Sequence, residues 1–454
     1  MLDVKDTSIN HKFILGIDCG WWRKSRLAVV AKNPEIDLSF KTNPEVAKIA
    51  LKSKWTLDLC NELKRMEHFV DDVIMCEDDT KKSLWRMHEP LPDINKFIPN
   101  ACPPEELIEA EGYKGTRVYD ESIDWYQITI AFNEWLDAMQ QIHGVRHIKV
   151  GNAEADDVLA LTALYANHCG RNFCYMGTDK DLIQIAGENE RTGAISVYCQ
   201  IKNGSKANNW AKSRVLTCTS NIKKGLESQG LLQVAQQTSI FDEFAGATVK
   251  PPKNEYDAII KYSDYFNVEH PASFLWYKIV LGDSGDNVPE LFAHLKKRGK
   301  NNAHLSVPQI YDTLIDLGVE TDNSKELSDG LRYMTIDDLY NDEFIDKFCQ
   351  LAYCKFLKTD TCPANVCDWL MTRFMQSRKM VCLNTKELPR PIIEMYRSIA
   401  ESYDWNRCYC DVSKLTNFQE TVQALGLGKT ATVDRSQSNI DSTFADNFIS
   451  GLNL

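Results

Sequence analysis

The amino-acid sequence predicts an α/β fold in which a parallel central sheet is flanked by helices and followed by a mainly helical region. Two observations support this prediction. Short apolar runs of strand length alternate with longer segments whose apolar residues recur at helical spacing. Acidic residues also follow the ends of several of these runs. Alternating strands and helices favour parallel pairing, and ligands collect at the carboxyl ends of the strands in such sheets.

The strands are predicted from apolar runs that are too short for helices. They comprise residues 13–17, 27–30, 73–76, 147–150 and 173–176.

The helices are predicted from periodic apolar positions. They comprise residues 44–69, residues 121–142, a helix from Ala153 with Asn152 as its cap, and a short helix after Asp181. In the second of these, the apolar positions at helical spacing are Ile128, Phe132, Trp135, Leu136 and Met139.

Changes in composition divide the chain into four parts. Residues 1–199 hold the alternating α/β pattern, and residues 271–430 read as mainly helical. Between them, residues 200–270 are rich in Asn, Lys, Ser and Gln and contain Pro251-Pro252, so we interpret them as an insertion. Residues 431–454 are rich in polar residues, which predicts a disordered tail.

The bulk properties are typical of a water-soluble protein. The formal net charge of −12 argues only weakly against a nucleic-acid partner, since a metal-binding acidic cluster contributes negative charge that a bound cation cancels. The first residues lack the basic start and apolar stretch of a signal peptide, and no apolar run is long enough for a bilayer. We therefore expect a cytoplasmic protein (in the host cytoplasm if the protein is viral). We expect its 15 cysteines to be reduced thiols, with a structural zinc site left open.

Two short acidic clusters are the most informative feature of the chain. They hold Glu154, Asp156 and Asp157, followed by Asp179 and Asp181, and apolar residues flank both clusters. Carboxylates repel one another, so a fold gathers them near its core only where a cation neutralises them. Magnesium fits best, because it prefers oxygen ligands and retains several waters. This chemistry points to metal-assisted reaction of a phosphate ester.

The positions of the acids refine this interpretation. Glu154 and Asp157 are three residues apart and share one helix face, whereas Asp156 points to the side. Acids in a first helical turn are also ordinary capping residues, so this cluster alone decides nothing. Asp18, Asp78 and Asp179 all follow predicted strands, and these three distant segments would deliver acids to one sheet edge.

Several motifs occur in an order that resembles the 5′-nuclease family, which includes flap endonucleases, the 5′-nuclease domain of bacterial DNA polymerase I and phage replication RNase H enzymes. Upstream, Ile17-Asp18 resembles the first strand motif, residues 78–86 the second acidic motif and residues 113–117 the Tyr-Lys-x-x-Arg motif. The resemblance spans about residues 13–300. The longer motifs are Ala153-Glu154-Ala155-Asp156-Asp157, Thr178-Asp179-Lys180-Asp181-Leu182 and Leu281-Gly282-Asp283-Ser284-Gly285-Asp286-Asn287-Val288-Pro289.

The resemblance implies a PIN-like sheet and two magnesium ions, for which manganese would substitute; the potassium site of many relatives is doubtful. Two ions about 4 Å apart activate a water and stabilise the departing 3′-oxygen, which leaves a 5′-phosphate on one product. Carried over by motif, the metal ligands are Asp18, Asp78, Glu154, Asp156, Asp157, Asp179, Asp181 and Asp283, with Asp286 nearby.

The resemblance also implies roles for basic and aromatic residues. Lys114 and Arg117 would meet the scissile phosphate, and Tyr113 would stack on an unpaired terminal base. The alternative is an exposed charged loop with an incidental aromatic residue. Arg86 also matches the family and is expected to contact DNA, whereas Trp85 fits a core residue as well as a base platform.

A divergent DNA-binding element is expected after Asn287. The family usually shows a glycine-rich hairpin there, of the helix-hairpin-helix type, but the paired glycines are missing, as in the phage RNase H branch. Four basic residues would hold duplex phosphates through charge, although a solvated basic loop is an equal alternative. These residues are Lys296, Lys297, Arg298 and Lys300.

The expected partners are branched or nicked duplex DNA and RNA–DNA hybrid. Phe444, Phe448 and Ile449 have helical spacing and would suit docking to a sliding clamp or a single-strand-binding protein, unless this end is simply frayed. Two other functions stay open: a PIN-type ribonuclease acting on single-stranded RNA, and a non-catalytic branched-DNA-binding factor. The Gly282–Asn287 motif favours the DNA enzyme over the first, and the near-complete acidic set argues against the second.

Overall fold

The computed structural model describes most of the two regions predicted to be folded. The described residues are 12–30, 42–67, 69–80, 83–89, 93–99, 101, 113–114, 123–202, 213–218, 266–267, 271–283, 285–293, 295, 305, 307–319 and 334–427.

An eight-stranded sheet forms the centre of the described chain. Its order is β3-β2-β1-β4-β6-β7-β8, with β5 paired to β6. The five strands from β3 to β6 along this path run parallel, whereas β5 and β7 pair antiparallel with β6. This confirms the α/β class and its mainly parallel sheet. The strands are β1 (Phe13–Asp18), β2 (Val70–Glu77), β3 (Arg146–Lys149), β4 (Asn172–Gly177), β5 (Gly187–Glu188), β6 (Ile195–Lys202), β7 (Ser213–Cys218) and β8 (Phe266–Asn267).

The central strand β1 is buried on both faces. Phe13, Leu15 and Ile17 face one apolar core, and Ile14 faces the other, as the two-residue period of a strand requires. Gly16 lies on the same face as Ile14, where an added Cβ would lie only 2.2 Å from Phe173 Cζ. A glycine is therefore needed for the close packing on this face.

Four helices of the first region cover the two faces. They are α1 (Cys19–Val30), α2 (Pro44–Met66), α3 (Trp125–His143) and α4 (Ala155–His168). Helices α2 and α3 pack on the Phe13 face, and α4 packs on the Ile14 face. The predicted helices 44–69 and 121–142 are confirmed, with small shifts at their ends.

The predicted strand 27–30 is wrong, because these residues end helix α1. The helix starts immediately after β1, where the Gly20 amide donates to Asp18 Oδ1 at 2.6 Å. A short apolar run does not distinguish a strand from the last turn of a buried helix. Residues 180–185, predicted as a short helix, form a 3₁₀ helix.

The second region has its own apolar core. Its helices are α5 (Pro271–Leu281), α6 (Val307–Asp316), α7 (Asp342–Leu357) and α8 (Ala364–Val381). Trp276 of α5 lies at this core, with ring centroids 5.0 Å from Phe348 and 4.9 Å from Phe374. The predicted helical character of this region is confirmed for its described residues.

The chain then returns to the sheet. Helix α9 (Arg390–Glu401) packs on α4, and the Tyr396 hydroxyl lies 3.2 Å from Thr162 Oγ1. The short helices α10 (Val412–Leu415) and α11 (Phe418–Ala424) cover the opposite face beside α2. Buried Asp72 accepts from Arg146 Nη2 at 2.8 Å and from the Cys410 amide at 3.2 Å, which fixes the returning segment to β2.

Other sequence predictions are only partly covered by the described residues. Of the insertion 200–270, the described residues 213–218 and 266–267 extend the sheet. The predicted tail 431–454, with Phe444, Phe448 and Ile449, lies outside the described residues. None of the described helices is long and apolar enough to cross a membrane.

Candidate metal centre

Two acids lie at the carboxyl ends of the adjacent parallel strands β1 and β2. Asp18 ends β1, and Asp78 directly follows β2. Both carboxylates converge above Gly20, where an added Cβ would lie 3.2 Å from Asp18 Oδ1 and 3.4 Å from Asp78 Oδ2. The other Asp78 oxygen, Oδ1, accepts from the Ala155 amide at 2.7 Å, so Asp78 also fixes the start of α4.

Two further acids reach the same edge from α4 and β4. Asp156 stands in the first turn of α4, and Asp179 stands two residues beyond β4. Asp156 Oδ1 is buried and has no hydrogen-bond partner among the described residues. One oxygen of Asp179 accepts from the Asp181 amide at 3.0 Å, which holds the start of the following 3₁₀ helix.

The electrostatics of these acids reflects their mutual repulsion. Burial and the Asp78 charge raise the pKa of Asp18 to about 7. Burial and the charges of Asp179 and Asp18 raise the pKa of Asp156 well above its ordinary value. Burial also raises the pKa of Asp179, and the nearby Asp286 charge adds to this effect. Nearby lysines oppose the pKa shifts of Asp18, Asp156 and Asp179 only in part, and a divalent cation would neutralise the remaining negative charge.

Glu154 and Asp157 differ from these four acids, because basic residues of the chain neutralise both. Arg86 Nη1 lies 2.7 Å from Glu154 Oε2 and 2.9 Å from Asp157 Oδ2. Trp85 Nε1 donates to the same Asp157 oxygen at 3.0 Å. The predicted shared face of Glu154 and Asp157 is thus confirmed. The predicted cap Asn152 is corrected, since α4 begins at Ala155 with Glu154 as its N-cap.

Lys114 is the second cation that holds Glu154. Its ammonium contacts Glu154 Oε1, and the neighbouring Tyr113 hydroxyl donates to Oε2 at 3.1 Å. Burial alone would raise the pKa of Glu154, but the Lys114 and Arg86 charges outweigh it and hold the pKa at about 2. Glu154 is therefore ionised and anchors Lys114 beside the acids.

Three more acids form a second group next to Asp179. Oxygens of Asp181, Asp283 and Asp286 lie within 4.8 Å of one another. Lys278, in the last turn of α5, contacts Asp181 Oδ1 and lies 2.6 Å from Asp283 Oδ2. The backbone joins this group to Lys114, whose amide donates to the Asp286 carbonyl oxygen at 2.9 Å.

A cavity of about 460 Å³ opens beside Asp78 and Glu154. Four basic residues contribute to its lining, and the indole of Trp125 is part of its wall. Such a cavity suits a phosphate chain that passes close to the acids. The basic residues are Arg23, Lys24, Lys114 and Lys149.

Two predicted DNA contacts lie inside the protein and not on its surface. Arg86 is 1% exposed, and its Nη2 also donates to the Cys382 carbonyl oxygen at 3.0 Å. Tyr113 is 4% exposed, so its ring does not offer an open stacking surface. The remaining predicted contacts lie outside the described residues: Arg117, Lys296, Lys297, Arg298 and Lys300.

Sequence reasoning missed several residues of this site. Gly20 leaves room for two carboxylates, and Lys278 bridges two acids. Arg23, Lys24 and Lys149 line the cavity. The position of Gly20 two residues after Asp18 is a signal that was available, because a glycine after a strand-end acid permits close approach.

The donor set fits a hard divalent cation. All the converging side chains offer carboxylate oxygens, which magnesium and manganese prefer. Asp156 Oδ1 is buried without a hydrogen bond from the described residues, and a bound cation would supply the partner that buried polar atoms normally have. Asp18, Asp78, Asp156 and Asp179 would hold such an ion.

No protein-family model matches the chain, and no curated protein sequence matches it. Among solved structures, it is similar to the 5′-exonuclease of T5 with bound zinc, at 11% identity and a TM-score of 0.38, over 86% of this chain and 99% of the other. A second T5 structure, co-crystallised with metal ions, gives 10% identity, a TM-score of 0.35 and coverages of 87% and 100%. A third structure is a bacteriophage T5 flap endonuclease variant in a pseudo-enzyme–product complex with DNA and metal ions. It has 10% identity and a TM-score of 0.34, over 86% of this chain and 98% of the other.

Similarity at this level does not assign the chain to a family.

Proposed function

We propose that this chain is a magnesium-dependent 5′-nuclease that cleaves phosphodiester bonds in DNA replication or repair. The observation that supports this function best is the convergence of Asp18, Asp78, Asp156 and Asp179 at one edge of the parallel sheet. Burial or neighbouring acids raise the pKa of three of them. A fold retains such an arrangement at a cost in stability, which metal binding would offset.

The structure suggests how the predicted ligands divide into two groups. Asp18, Asp78, Asp156 and Asp179 would hold the first ion. Asp181, Asp283 and Asp286 would contribute to a second position. Glu154 and Asp157 are both neutralised by Arg86. They would position the metal site, either by contacting an ion directly or by holding a metal-bound water.

Ions bound in these positions would supply an activated water and a counter-charge for the departing 3′-oxygen. Lys114 lines the cavity beside Glu154, and we propose that its ammonium meets the scissile phosphate together with Arg117. Because Glu154 is buried and ionised, it orients the Lys114 side chain before substrate arrives. The cavity residues Arg23, Lys24 and Lys149 would hold flanking phosphates.

The proposed substrate is a branched or nicked duplex with a 5′ end, either a DNA flap or an RNA primer on DNA. The T5 structures are described as exonuclease and flap endonuclease, and one of them contains DNA, which favours this substrate class over others. The basic residues 296–300 are proposed to hold duplex phosphates, and the end of the chain is proposed to bind a replication partner.

Two alternatives predict different products. A PIN-type ribonuclease would cut single-stranded RNA and leave a DNA flap intact. A non-catalytic branch-binding factor would bind the flap without cutting it, whichever divalent metal ion is added. The unpartnered Asp156 Oδ1 disfavours the second alternative, because a fold without catalysis gains nothing from a buried, uncompensated carboxylate.

The test is incubation of 5′-labelled flap, nicked DNA, RNA–DNA and single-stranded RNA substrates with and without Mg²⁺. Magnesium-dependent cutting of the flap or of the RNA–DNA hybrid is the expected result. The ladder of product lengths separates stepwise trimming from cutting at the junction. Exclusive cutting of single-stranded RNA, or no cutting of any substrate, would refute the proposed function.

Matched variants assign any activity to this site. Asp179→Ala is expected to abolish cleavage while DNA binding is largely retained. Asp337→Ala removes an aspartate whose side chain is 92% exposed and is expected to cut like the wild type. Cleavage that survives in the Asp179 variant would show that the activity belongs to a contaminant or to another site.

A further inference from the structure

Lys278 places a positive charge inside the second acidic group. Its ammonium contacts Asp181 Oδ1 and lies 2.6 Å from Asp283 Oδ2. Its side chain is 16% exposed, and those of Asp181 and Asp283 are 10% and 24% exposed. The contact therefore lies in a partly buried setting, where ion pairs are screened less than on an open surface.

The contact stabilises the ionised form of Asp283. Burial alone would raise the pKa of Asp283, but the Lys278 ammonium and the Gly285 amide outweigh it and lower the pKa. Burial raises the pKa of Asp179, and the Lys278 charge opposes this rise without cancelling it. In the first group, by contrast, no described lysine or arginine lies within 4 Å of the Asp18 or Asp156 carboxylate.

We propose that Lys278 is a resident counter-cation that occupies the second metal position in the free protein and must be displaced before a second divalent ion binds there. This inference rests on the proposed function, since it concerns the second group of that site. One ammonium cannot neutralise both of the carboxylates that it contacts, so a divalent ion remains favourable, but it must compete with the lysine. Once displaced, the flexible Lys278 side chain is free to meet a substrate phosphate.

The two groups consequently differ in metal affinity. In the first group, Asp18 and Asp156 form no ion pair with a described lysine or arginine, and this group is expected to bind its ion in the absence of substrate. The second group binds its ion weakly until a substrate phosphate pairs with the Lys278 ammonium and draws it away from the carboxylates. Lys278 thus couples occupation of the second position to substrate, and it acts as a positioning residue.

The test measures Mn²⁺ binding by titration calorimetry and by electron paramagnetic resonance of free Mn²⁺, with the full chain and no substrate. Wild-type protein is expected to bind one ion tightly and a second weakly. Lys278→Met is expected to strengthen the second binding by about tenfold or more and to leave the first within about threefold. Lys278→Arg, which keeps the charge, is expected to retain weak second binding.

Stability provides an independent readout of the same variant. Without metal, Lys278→Met leaves Asp181 and Asp283 without the ammonium, so its melting temperature is expected to fall. Saturating Mn²⁺ is expected to restore it. Lys347→Met, which removes the lysine of an exposed helical pair with Glu343, serves as the control and is expected to change neither binding nor melting.

The outcomes distinguish this inference from the proposed function. If the first ion binds and the second affinity of Lys278→Met equals or falls below that of the wild type, the counter-cation role is overturned while the nuclease proposal stands. If neither protein binds an ion at millimolar Mn²⁺, both are overturned. A Lys278→Arg variant that behaves like Lys278→Met would also contradict the role of charge.

Discussion

The Arg86 guanidinium lies against the Asp157 carboxylate, with Nη2 2.8 Å from Oδ1 and Nη1 2.9 Å from Oδ2. Both side chains are almost fully buried, and Arg86 also contacts Glu154 and the carbonyl oxygen of Cys382, which follows α8. A single buried cation thus fixes the start of α4 to the helical region. This pair positions the segment that carries Asp156.

The first prediction is that Arg86→Met strongly destabilises the protein. The substitution leaves two buried carboxylates without their shared cation, which costs about 3–5 kcal/mol of unfolding free energy. Chemical denaturation measures the change. Arg390→Ala is the matched control, because Arg390 is 87% exposed in its pair with Glu394 and contributes at most about 1 kcal/mol. Equal effects of the two substitutions would mean that Arg86 is not the buried anchor described above.

The second prediction concerns Asp156→Asn, which keeps the shape of the side chain and removes its charge. The metal-free protein at pH 8 is expected to gain roughly 1 kcal/mol of stability, because repulsion with Asp179 and Asp18 is removed. Cleavage is expected to fall about 100-fold or more. Thermal melting and flap cleavage, measured on the same preparation, check both. A loss of stability together with unchanged cleavage would show that Asp156 is a structural residue.

The third prediction is a pH dependence of the metal-free protein. The pKa of Asp18 rises from an ordinary 3.8 to about 7 in the folded state, so its proton is bound more tightly there. Protonation of Asp18 therefore stabilises the folded state; this stabilisation is complete below about pH 4 and is lost as the pH rises through 7. Glu154 has the opposite effect, because its pKa is lowered to about 2 in the folded state. Its ionised form stabilises the fold, and this stabilisation weakens only below about pH 4.5.

Melting temperatures between pH 5 and pH 8 measure this effect. In the presence of a chelator, we expect the melting temperature of the wild type to fall as the pH rises, and that of Asp18→Asn to fall less. In saturating Mg²⁺, we expect this pH dependence to disappear. An identical decline for wild type and Asp18→Asn would assign it to other groups.

The fourth prediction concerns Gly16→Ala in β1. The new Cβ would lie 2.2 Å from Phe173 Cζ and 2.9 Å from Leu159 Cδ2, so we expect a loss of about 1–3 kcal/mol in unfolding free energy. Phe173→Leu is expected to relieve part of this loss in the double variant. Gly187→Ala meets nothing within 4 Å and is expected to stay within about 0.5 kcal/mol of the wild type.

Sequence patterns predicted the parts of this fold that depend on local periodicity. The three-residue spacing of Glu154 and Asp157 correctly predicted that the two side chains lie together, because the N-cap and the third residue of a helix face each other in a capping box. Strand-end acids were predicted to meet at one edge, and Asp18 and Asp78 do so above Gly20. The parallel order of the strands follows from the same alternation.

Other features depend on contacts between distant segments, which local patterns do not encode. Lys278 stands in the last turn of α5, where a lysine normally complements the helix dipole, and its partner Asp181 is 97 residues away. Arg86 was expected to contact DNA because it matches the family motif, yet its partners lie at the start of α4 and after α8. The segment 27–30 was misassigned because a four-residue apolar run fits both a strand and a helix end.

The most direct test of the central claim is crystallographic, with Mn²⁺ soaked into crystals and located by its anomalous scattering. The account predicts a peak within about 2.5 Å of carboxylate oxygens from Asp18, Asp78, Asp156 or Asp179, with a weaker peak near Asp181 and Asp283. Strong peaks confined to other surfaces, with no peak near Asp18, Asp78, Asp156 or Asp179 at saturating Mn²⁺, would refute the proposed metal site.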